Sequence, residues 1–221
     1  MYHPILFLHW KQIRWVLAVL ALTSFALPLV SIQGTADVVS PYALLSGTAI
    51  WLPLFPALAV AIGSILGLSA WNWDHVGNHV YALSLPISRA RYAGLKMGAG
   101  ALLLLLPAGT FWVGSLLAAS ALELPAGLHA YPNQLAIRFL VASLTAYAAI
   151  FAMAAGTVRT VLIALGVFVG LLLFGNSIDL LLSNAIPYFR DHEVMGEFLG
   201  WMGSGTGPLR VFTGSWMLID V

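Results

Sequence analysis

Long apolar segments alternate with short polar ones along the chain. Beyond residue 15, five apolar segments are each long enough to cross a bilayer core of ~30 Å as an α-helix; they cover residues 15–32, 43–70, 97–121, 135–157 and 159–182. A helix satisfies its backbone hydrogen bonds within its own segment, as a spanning segment in lipid must. The pattern therefore predicts an all-α polytopic membrane protein with a single transmembrane domain over residues 1–221.

The two ends of the chain add shorter elements. In residues 1–15, Leu6, Trp10 and Ile13 recur at helical spacing opposite Lys11 and Arg14. This pattern predicts an amphipathic helix in the cytoplasmic headgroup layer, with a cytoplasmic extension of the first span as the alternative.

Beyond the fifth span, residues 184–208 form a predicted outer segment with a short helical apolar stripe. Residues 209–221 turn apolar again but reach only about 20 Å as a helix. They are either an interfacial helix or a truncated sixth span, and the absence of a polar or basic tail favours the span. The expected total is about five to six transmembrane helices.

Composition excludes several classes of protein. Hydrophobic residues make up 61% of the chain and charged residues 8%, too few charges for the surface of a soluble domain. A net charge of +1 without a basic tract argues against nucleic-acid binding. The absence of cysteine excludes disulfides and thiolate metal sites. No phosphate-binding loop of the G-x-x-x-x-G-K-[ST] type occurs, so we expect no nucleotide site in this chain and no enzymatic activity of its own.

The basic residues predict the orientation. Six of the nine lie on one side of the predicted spans: Lys11, Arg14, Arg89, Arg91, Lys96 and Arg159. The other side holds Arg138, Arg190 and Arg210, together with most of the acidic residues. By the positive-inside rule, the N-terminus is cytoplasmic.

The loop at residues 71–91, between the second and third spans, is the most informative segment. Asp74 can cap a short helix, which Pro86 would end. Ser88 suits the N-cap of the third span, and Arg89 and Arg91 would then lie in a first turn where the helix dipole disfavours cations. Lipid phosphates would compensate that cost, and docking to a cytoplasmic partner is the alternative.

The run Leu85-Pro86-Ile87-Ser88-Arg89, with Asp74 and Gly77 before it, resembles the loop between the second and third spans of ABC-2 type transporter permeases. The resemblance implies a coupling helix that contacts a separate ATP-binding subunit. It assigns the docking role to Asp74, Gly77, Leu85, Pro86, Ser88, Arg89 and Arg91.

The same resemblance implies an exporter in the cytoplasmic (inner) membrane of a prokaryote. Two permease subunits, identical or different, would form the path through the membrane lipids, and the partner subunit would bind ATP as the only cofactor. An apolar path would suit lipids, hydrophobic drugs or peptides.

Two other functions remain open from the residues. His75 and His79 are four apart beside Asp74, a spacing that can bind a metal in a membrane-embedded enzyme. A membrane scaffold that recruits a cytoplasmic partner without transport would share the docking loop. Asp179, near the outer end of the fifth span, is either a residue of a substrate or ion path or a headgroup-level acid.

Overall fold

A computed structural model of the chain describes residues 2–33, 41–76, 88–122, 124–125, 127–156, 158–185, 194–204, 207, 209–213 and 215–220. The described residues are mostly helical. The helices are α1 (Tyr2–Ser31), α2 (Pro41–Ala49), α3 (Leu54–Val76), α4 (Arg89–Ser120), α5 (Pro132–Ala154), α6 (Val158–Ala185) and α7 (Val194–Gly203). Two short strands, β1 (His129–Ala130) and β2 (Ile219–Asp220), pair antiparallel.

Four helices in the described part of the chain are long and apolar enough to cross a membrane: α3, α4, α5 and the Ile5–Ser31 part of α1. They correspond to the first four predicted spans and support a helical membrane protein. The fifth predicted span coincides with α6, but its passage through a membrane stays a prediction.

Helix α1 is continuous from Tyr2 to Ser31, without a break between the predicted amphipathic helix and the first span. The continuity fits the alternative of an extended first span. An interfacial position for residues 1–15 stays a prediction.

The second predicted span, 43–70, begins too early, because its first third is not part of the spanning helix. A turn at Ile50–Pro53 separates α2 from α3, and the backbone N–H of Leu54 donates to the carbonyl of Trp51 at 3.0 Å. Pro53 and Pro56 have no N–H to donate, which is tolerated in the first turn of a helix and not in its interior. The chain therefore restarts a helix at Leu54, and the spanning segment begins there.

The chain divides into two compact units, Met1–Ala152 with Ser215–Val221, and Met153–Gly214. In the first unit α1 packs along α4, and the hydroxyl of Thr110 donates to the carbonyl of Ala21 at 2.9 Å. The ring of Phe111 is fully buried in this unit. It stacks on Phe139 with centroids 4.0 Å apart and makes a T-shaped contact with Phe55 at a centroid distance of 5.7 Å.

Small residues set the distance between α3 and α5. A Cβ added to Gly63 would lie 2.5 Å from the carbonyl oxygen of Ser143, and one added to Gly67 would lie 3.0 Å from the nitrogen of Phe151. The two backbones are therefore nearly in contact, as the Gly-x-x-x-Gly spacing allows in lipid.

The C-terminal residues contradict a sixth helix over the segment that the structure describes. Residues 215–220 contain no helix, β2 pairs with β1 between α4 and α5, and the nitrogen of Tyr131 donates to the carbonyl of Leu218 at 2.9 Å. The apolar side chains of Trp216, Leu218 and Ile219 are buried, which explains an apolar segment too short to span a membrane.

In the second unit α7 packs on α6. The helix predicted within residues 184–208 is confirmed by α7, and a 3₁₀ helix follows at Arg210–Phe212. Asp179 lies in α6 and is partly exposed.

Candidate functional site

The last turns of α3 and the first turns of α4 meet in a buried polar cluster. Helical spacing places Trp71 and Asp74 on one face of α3, and Tyr92 and Lys96 on one face of α4. All four side chains are buried, with exposed fractions of 3% for Asp74 and 9% for Lys96. We call these four residues the Asp74 cluster.

The charges of the cluster are paired with each other. The ammonium of Lys96 forms a salt bridge with the carboxylate of Asp74 and donates a second hydrogen bond to the carbonyl of Ala70 at 2.7 Å. The hydroxyl of Tyr92 lies 3.1 and 3.4 Å from the two carboxylate oxygens and donates to them. A buried carboxylate needs such partners, because an unpaired charge in an apolar interior is strongly destabilising.

Two aromatic rings complete the environment of the ammonium. Its nitrogen lies 4.9 Å from the ring centroid of Trp71 and 5.1 Å from that of Tyr92, within the range of cation–π attraction. The indole N–H of Trp71 in turn donates to the carbonyl of Phe151 on α5 at 3.1 Å. Asp74 and Lys96 thus join α3 to α4, and Trp71 joins α3 to α5.

Neighbouring polar contacts extend this linkage to α1 and α5. His9 of α1 is buried, and its Nε2 lies 3.0 Å from the hydroxyl oxygen of Ser69 on α3. The buried hydroxyl of Tyr147 on α5 donates to the carbonyl of Met97 on α4 at 3.0 Å. Near this end of the unit, hydrogen bonds therefore join α3 to α1, α4 and α5, and join α4 to α5.

The start of α4 agrees with the N-cap prediction. Ser88 has an extended backbone (φ −65°, ψ 146°), and its hydroxyl accepts a hydrogen bond from the backbone nitrogen of Arg91 at 3.4 Å. Arg89 and Arg91 follow in the first turn, and both are exposed. Their guanidinium groups are accessible at the end of the unit that holds the Asp74 cluster.

The prediction that Asp74 caps the start of a short helix is wrong. Asp74 lies in the last turn of α3 and faces the interior, so its carboxylate engages Lys96 and Tyr92. Its contribution to docking would be indirect, through the position of the helix ends. Gly77, Leu85 and Pro86 lie outside the described residues.

The metal-binding alternative draws no support from the described part of the chain. There, no three His, Asp or Glu side chains lie together in a way that could hold a metal ion. Asp74, the carboxylate of the predicted set, is paired with Lys96, and His79 lies outside the described residues.

From the sequence, Lys96 was placed on the same side of the spans as Asp74 and the loop, but it was not connected with Asp74. The sequence did offer one signal: Asp74 and Lys96 carry opposite charges, are 22 positions apart, and lie near the facing ends of two consecutive apolar segments. His9 gave no signal, since a single histidine on a mostly apolar helix is unremarkable in a sequence.

Replacing Tyr92 with phenylalanine should reduce the free energy of unfolding by about 1.5–3 kcal/mol, since it removes a hydrogen bond to a charged group. Thermal unfolding of the purified protein in detergent measures the change. Tyr42→Phe is the matched control, because Tyr42 is 81% exposed. Equal losses in the two variants would contradict the assigned hydrogen bond.

Comparison of the chain with protein-family models, with curated proteins and with solved structures gives no match. Its function is therefore inferred from the geometry of the Asp74 cluster and from the residues of the adjoining loop.

Proposed function

We propose that this chain is the membrane-spanning permease subunit of an ATP-binding cassette transporter of the ABC-2 type, acting as an exporter. A separate subunit hydrolyses ATP, and a second permease subunit completes the path. The chain lies in the cytoplasmic membrane of a prokaryote with its N-terminus in the cytoplasm, and α6 is the fifth span.

The observation that carries the proposal is the buried link between Asp74 and Lys96. It joins the helix that ends at Val76, within the predicted loop at residues 71–91, to the helix that begins at Arg89. Breaking such a pair costs several kcal/mol, so a force on the loop moves α3 and α4 together. Trp71 and Tyr147 pass this displacement to α5. A helix bundle that is driven by a separate ATP-hydrolysing subunit must pass a displacement at its contact with that subunit on to its other helices.

The distribution of exposed cations supports the cytoplasmic assignment of this end. The contact between His9 and Ser69 places the start of α1 beside the end of α3, where α4 also begins. Lys11, Arg14, Arg89 and Arg91 are all exposed near these helix starts. Cations concentrated at one end of apolar helices indicate the cytoplasmic side.

The length of α4 supports a position of the cluster near the membrane surface. Its 32 residues extend about 48 Å, well beyond the ~30 Å hydrocarbon core. The first turn with Arg89 and Arg91 can therefore project toward the cytoplasm, where an ATP-hydrolysing partner would bind.

The test is ATP hydrolysis by the complex purified from native membranes through a tag on this chain. We expect vanadate-sensitive hydrolysis to co-elute with the chain, and we expect Arg89→Glu with Arg91→Glu to reduce it at least tenfold, because two attractive contacts become repulsive. Lys11→Glu with Arg14→Glu is the matched control, with two exposed cations on α1 reversed, and it should retain the activity.

Two results would contradict the proposal. One is a wild-type complex without any ATP hydrolysis, and the other is equal activity in the two charge-reversed variants. Stoichiometric, tightly bound zinc, iron or manganese in a preparation without hydrolysis would instead favour the metal-dependent enzyme. If the chain is a scaffold, the ATPase should co-purify with it, but the rate of ATP hydrolysis should be the same with and without the chain.

A further inference from the structure

At the end of the first unit away from the Asp74 cluster, a polar pocket of about 430 Å³ lies between the start of α5 and the C-terminal segment. Its polar lining comes from Tyr131, Gln134, Arg138, Ser215 and Asp220, and we call it the Arg138 pocket. The pocket combines one cation and one anion with hydroxyl and amide groups.

The guanidinium of Arg138 is held toward the β1–β2 end of the unit. It donates a hydrogen bond to the carbonyl oxygen of Ser215, and its central carbon lies 5.4 Å from the ring centroid of Trp216. Trp216 is buried, so the segment that carries Ser215 and Asp220 is anchored against the unit. Asp220 belongs to β2, whose pairing with β1 fixes the opposite wall of the pocket.

An apolar groove of about 380 Å³ lies on the neighbouring face of α5. Leu105, Gly109 and Trp112 of α4 and Ile137 and Leu140 of α5 line it, and we call it the Gly109 groove. Gly109 contributes no side chain to the groove, and a Cβ added there would meet nothing within 4 Å. Toward the β1–β2 end, the indole of Trp112 donates to the side-chain oxygen of Asn133 at 2.8 Å.

The pocket and the groove are both lined by α5, at the same level along that helix. Asn133, Ile137 and Leu140 line the groove, while Gln134 and Arg138 line the pocket one position farther along the same turns. Successive residues of an α-helix differ by about 100° in direction, so the two surfaces lie side by side around α5. A polar cavity next to an apolar groove matches a ligand with a headgroup and a hydrocarbon chain.

We propose that the Arg138 pocket and the Gly109 groove together bind one zwitterionic glycerophospholipid of the phosphatidylethanolamine type. The phosphate contacts Arg138, the ammonium contacts Asp220, and an acyl chain lies in the groove. The site goes beyond the proposed transport function and requires only that the four apolar helices lie in a membrane.

The depth of the site fits a headgroup. From Pro132 to Phe151 a helix rises about 29 Å, close to the thickness of the hydrocarbon core. Arg138 starts about 9 Å inside this span, and its side chain extends back toward the helix start, as a long cationic side chain does to reach the interface. Trp112, Tyr131 and Trp216 supply the aromatic groups typical of that level.

The charges of the pocket select the lipid class. Arg138 alone would favour an anionic lipid, but Asp220 on the facing strand disfavours a second negative charge and attracts an ammonium group. A headgroup with one phosphate and one primary amine pairs with both. Phosphatidylglycerol presents the phosphate without the amine.

Native mass spectrometry of the delipidated protein, titrated with palmitoyl-oleoyl phosphatidylethanolamine, tests the proposal. We expect one saturable adduct with a lower dissociation constant than for phosphatidylglycerol. Arg138→Gln should weaken binding about tenfold, because charge-assisted hydrogen bonds to the phosphate are lost. Asp220→Asn should reverse the preference toward phosphatidylglycerol.

The groove is tested separately with a matched pair on α4. Gly109→Leu fills the groove and should weaken binding of the lipid about tenfold, whereas Gly94→Leu, also in open space, should leave it unchanged. Glycerophosphoethanolamine, which has the headgroup without acyl chains, should not compete at equal concentration.

Three results would overturn the assignment. They are equal affinity in the wild type and Arg138→Gln, equal affinity in the two leucine variants, and full competition by the chain-free headgroup. Circular dichroism that matches the wild type shows that the variants are folded. None of these measurements depends on ATP hydrolysis, so a failure here is distinct from a failure of the proposed function.

Discussion

Replacing Lys96 with methionine is expected to reduce the free energy of unfolding by about 3–5 kcal/mol, because the variant leaves the carboxylate of Asp74 buried without its counter-ion. Asp74 is 3% exposed, so water cannot take the place of the ammonium without opening the bundle. Methionine is unbranched and apolar and lacks only the terminal atom of the lysine side chain, so the main change is the loss of the charge. Thermal unfolding of the purified protein in detergent measures the loss.

Two further variants separate this effect from a general sensitivity of the helix ends. Lys11→Met removes an exposed ammonium of α1 and should change stability by less than about 1 kcal/mol. Asp74→Leu combined with Lys96→Met removes both charges and should recover most of the loss, since no unpaired charge stays buried. If Lys96→Met unfolds at the same temperature as Lys11→Met, the buried pair is absent from the native protein.

Replacing Gly63 with alanine is expected to destabilise the protein by about 1–3 kcal/mol, the usual cost of adding a methyl group to a filled interface. The added carbon would lie 2.5 Å from the oxygen of Ser143 and 2.7 Å from the nitrogen of Tyr147. Both are backbone atoms and cannot rotate away, so α3 and α5 must separate. Unfolding in detergent with increasing denaturant reports the change.

Gly94→Ala is the control for this prediction, because the same substitution on α4 meets nothing within 4 Å. Alanine favours a helix over glycine by about 1 kcal/mol, so the control should be neutral or slightly stabilised. A Gly63→Ala protein as stable as the Gly94→Ala protein would contradict the close approach of α3 and α5.

The sequence predicted the features that depend on neighbouring positions. Apolar length predicted the four helices that can cross a membrane, and local side-chain chemistry predicted Ser88 as the N-cap of α4. Gly63 and Gly67 are four positions apart, a spacing typical of close helix packing in lipid, and the structure places α5 against both. Each of these follows from propensity, periodicity or a single turn of backbone.

The features that sequence reasoning missed depend on contacts between distant segments. Nothing near Asp74 shows that its partner is Lys96, since the pairing requires two helices to come together. The strand at Ile219–Asp220 is stabilised by β1, about 90 residues earlier, and an isolated apolar segment of that length equally suits a helix. The start of α3 at Leu54 depends on two prolines that hydropathy alone counts as ordinary span residues.

The two ends of the first unit have different proposed roles. At one end the Asp74 cluster joins the helices before and after residues 77–87, with Arg89 and Arg91 exposed beside it. At the other end the Arg138 pocket and the Gly109 groove are built on α5, which Trp71 also contacts. Movement of the loop would therefore reach the lipid site through a single helix.

A photo-crosslink from the start of α4, in inside-out membrane vesicles, tests directly whether this end of the unit binds an ATP-hydrolysing subunit. We place p-benzoylphenylalanine at Arg89 and, for comparison, at Gln33, which is exposed beyond the opposite end of α1. We expect one major protein adduct from position 89 that is also labelled by azido-ATP, and no such adduct from position 33. The absence of an ATP-labelled adduct at position 89, or the same adduct from both positions, would contradict this binding.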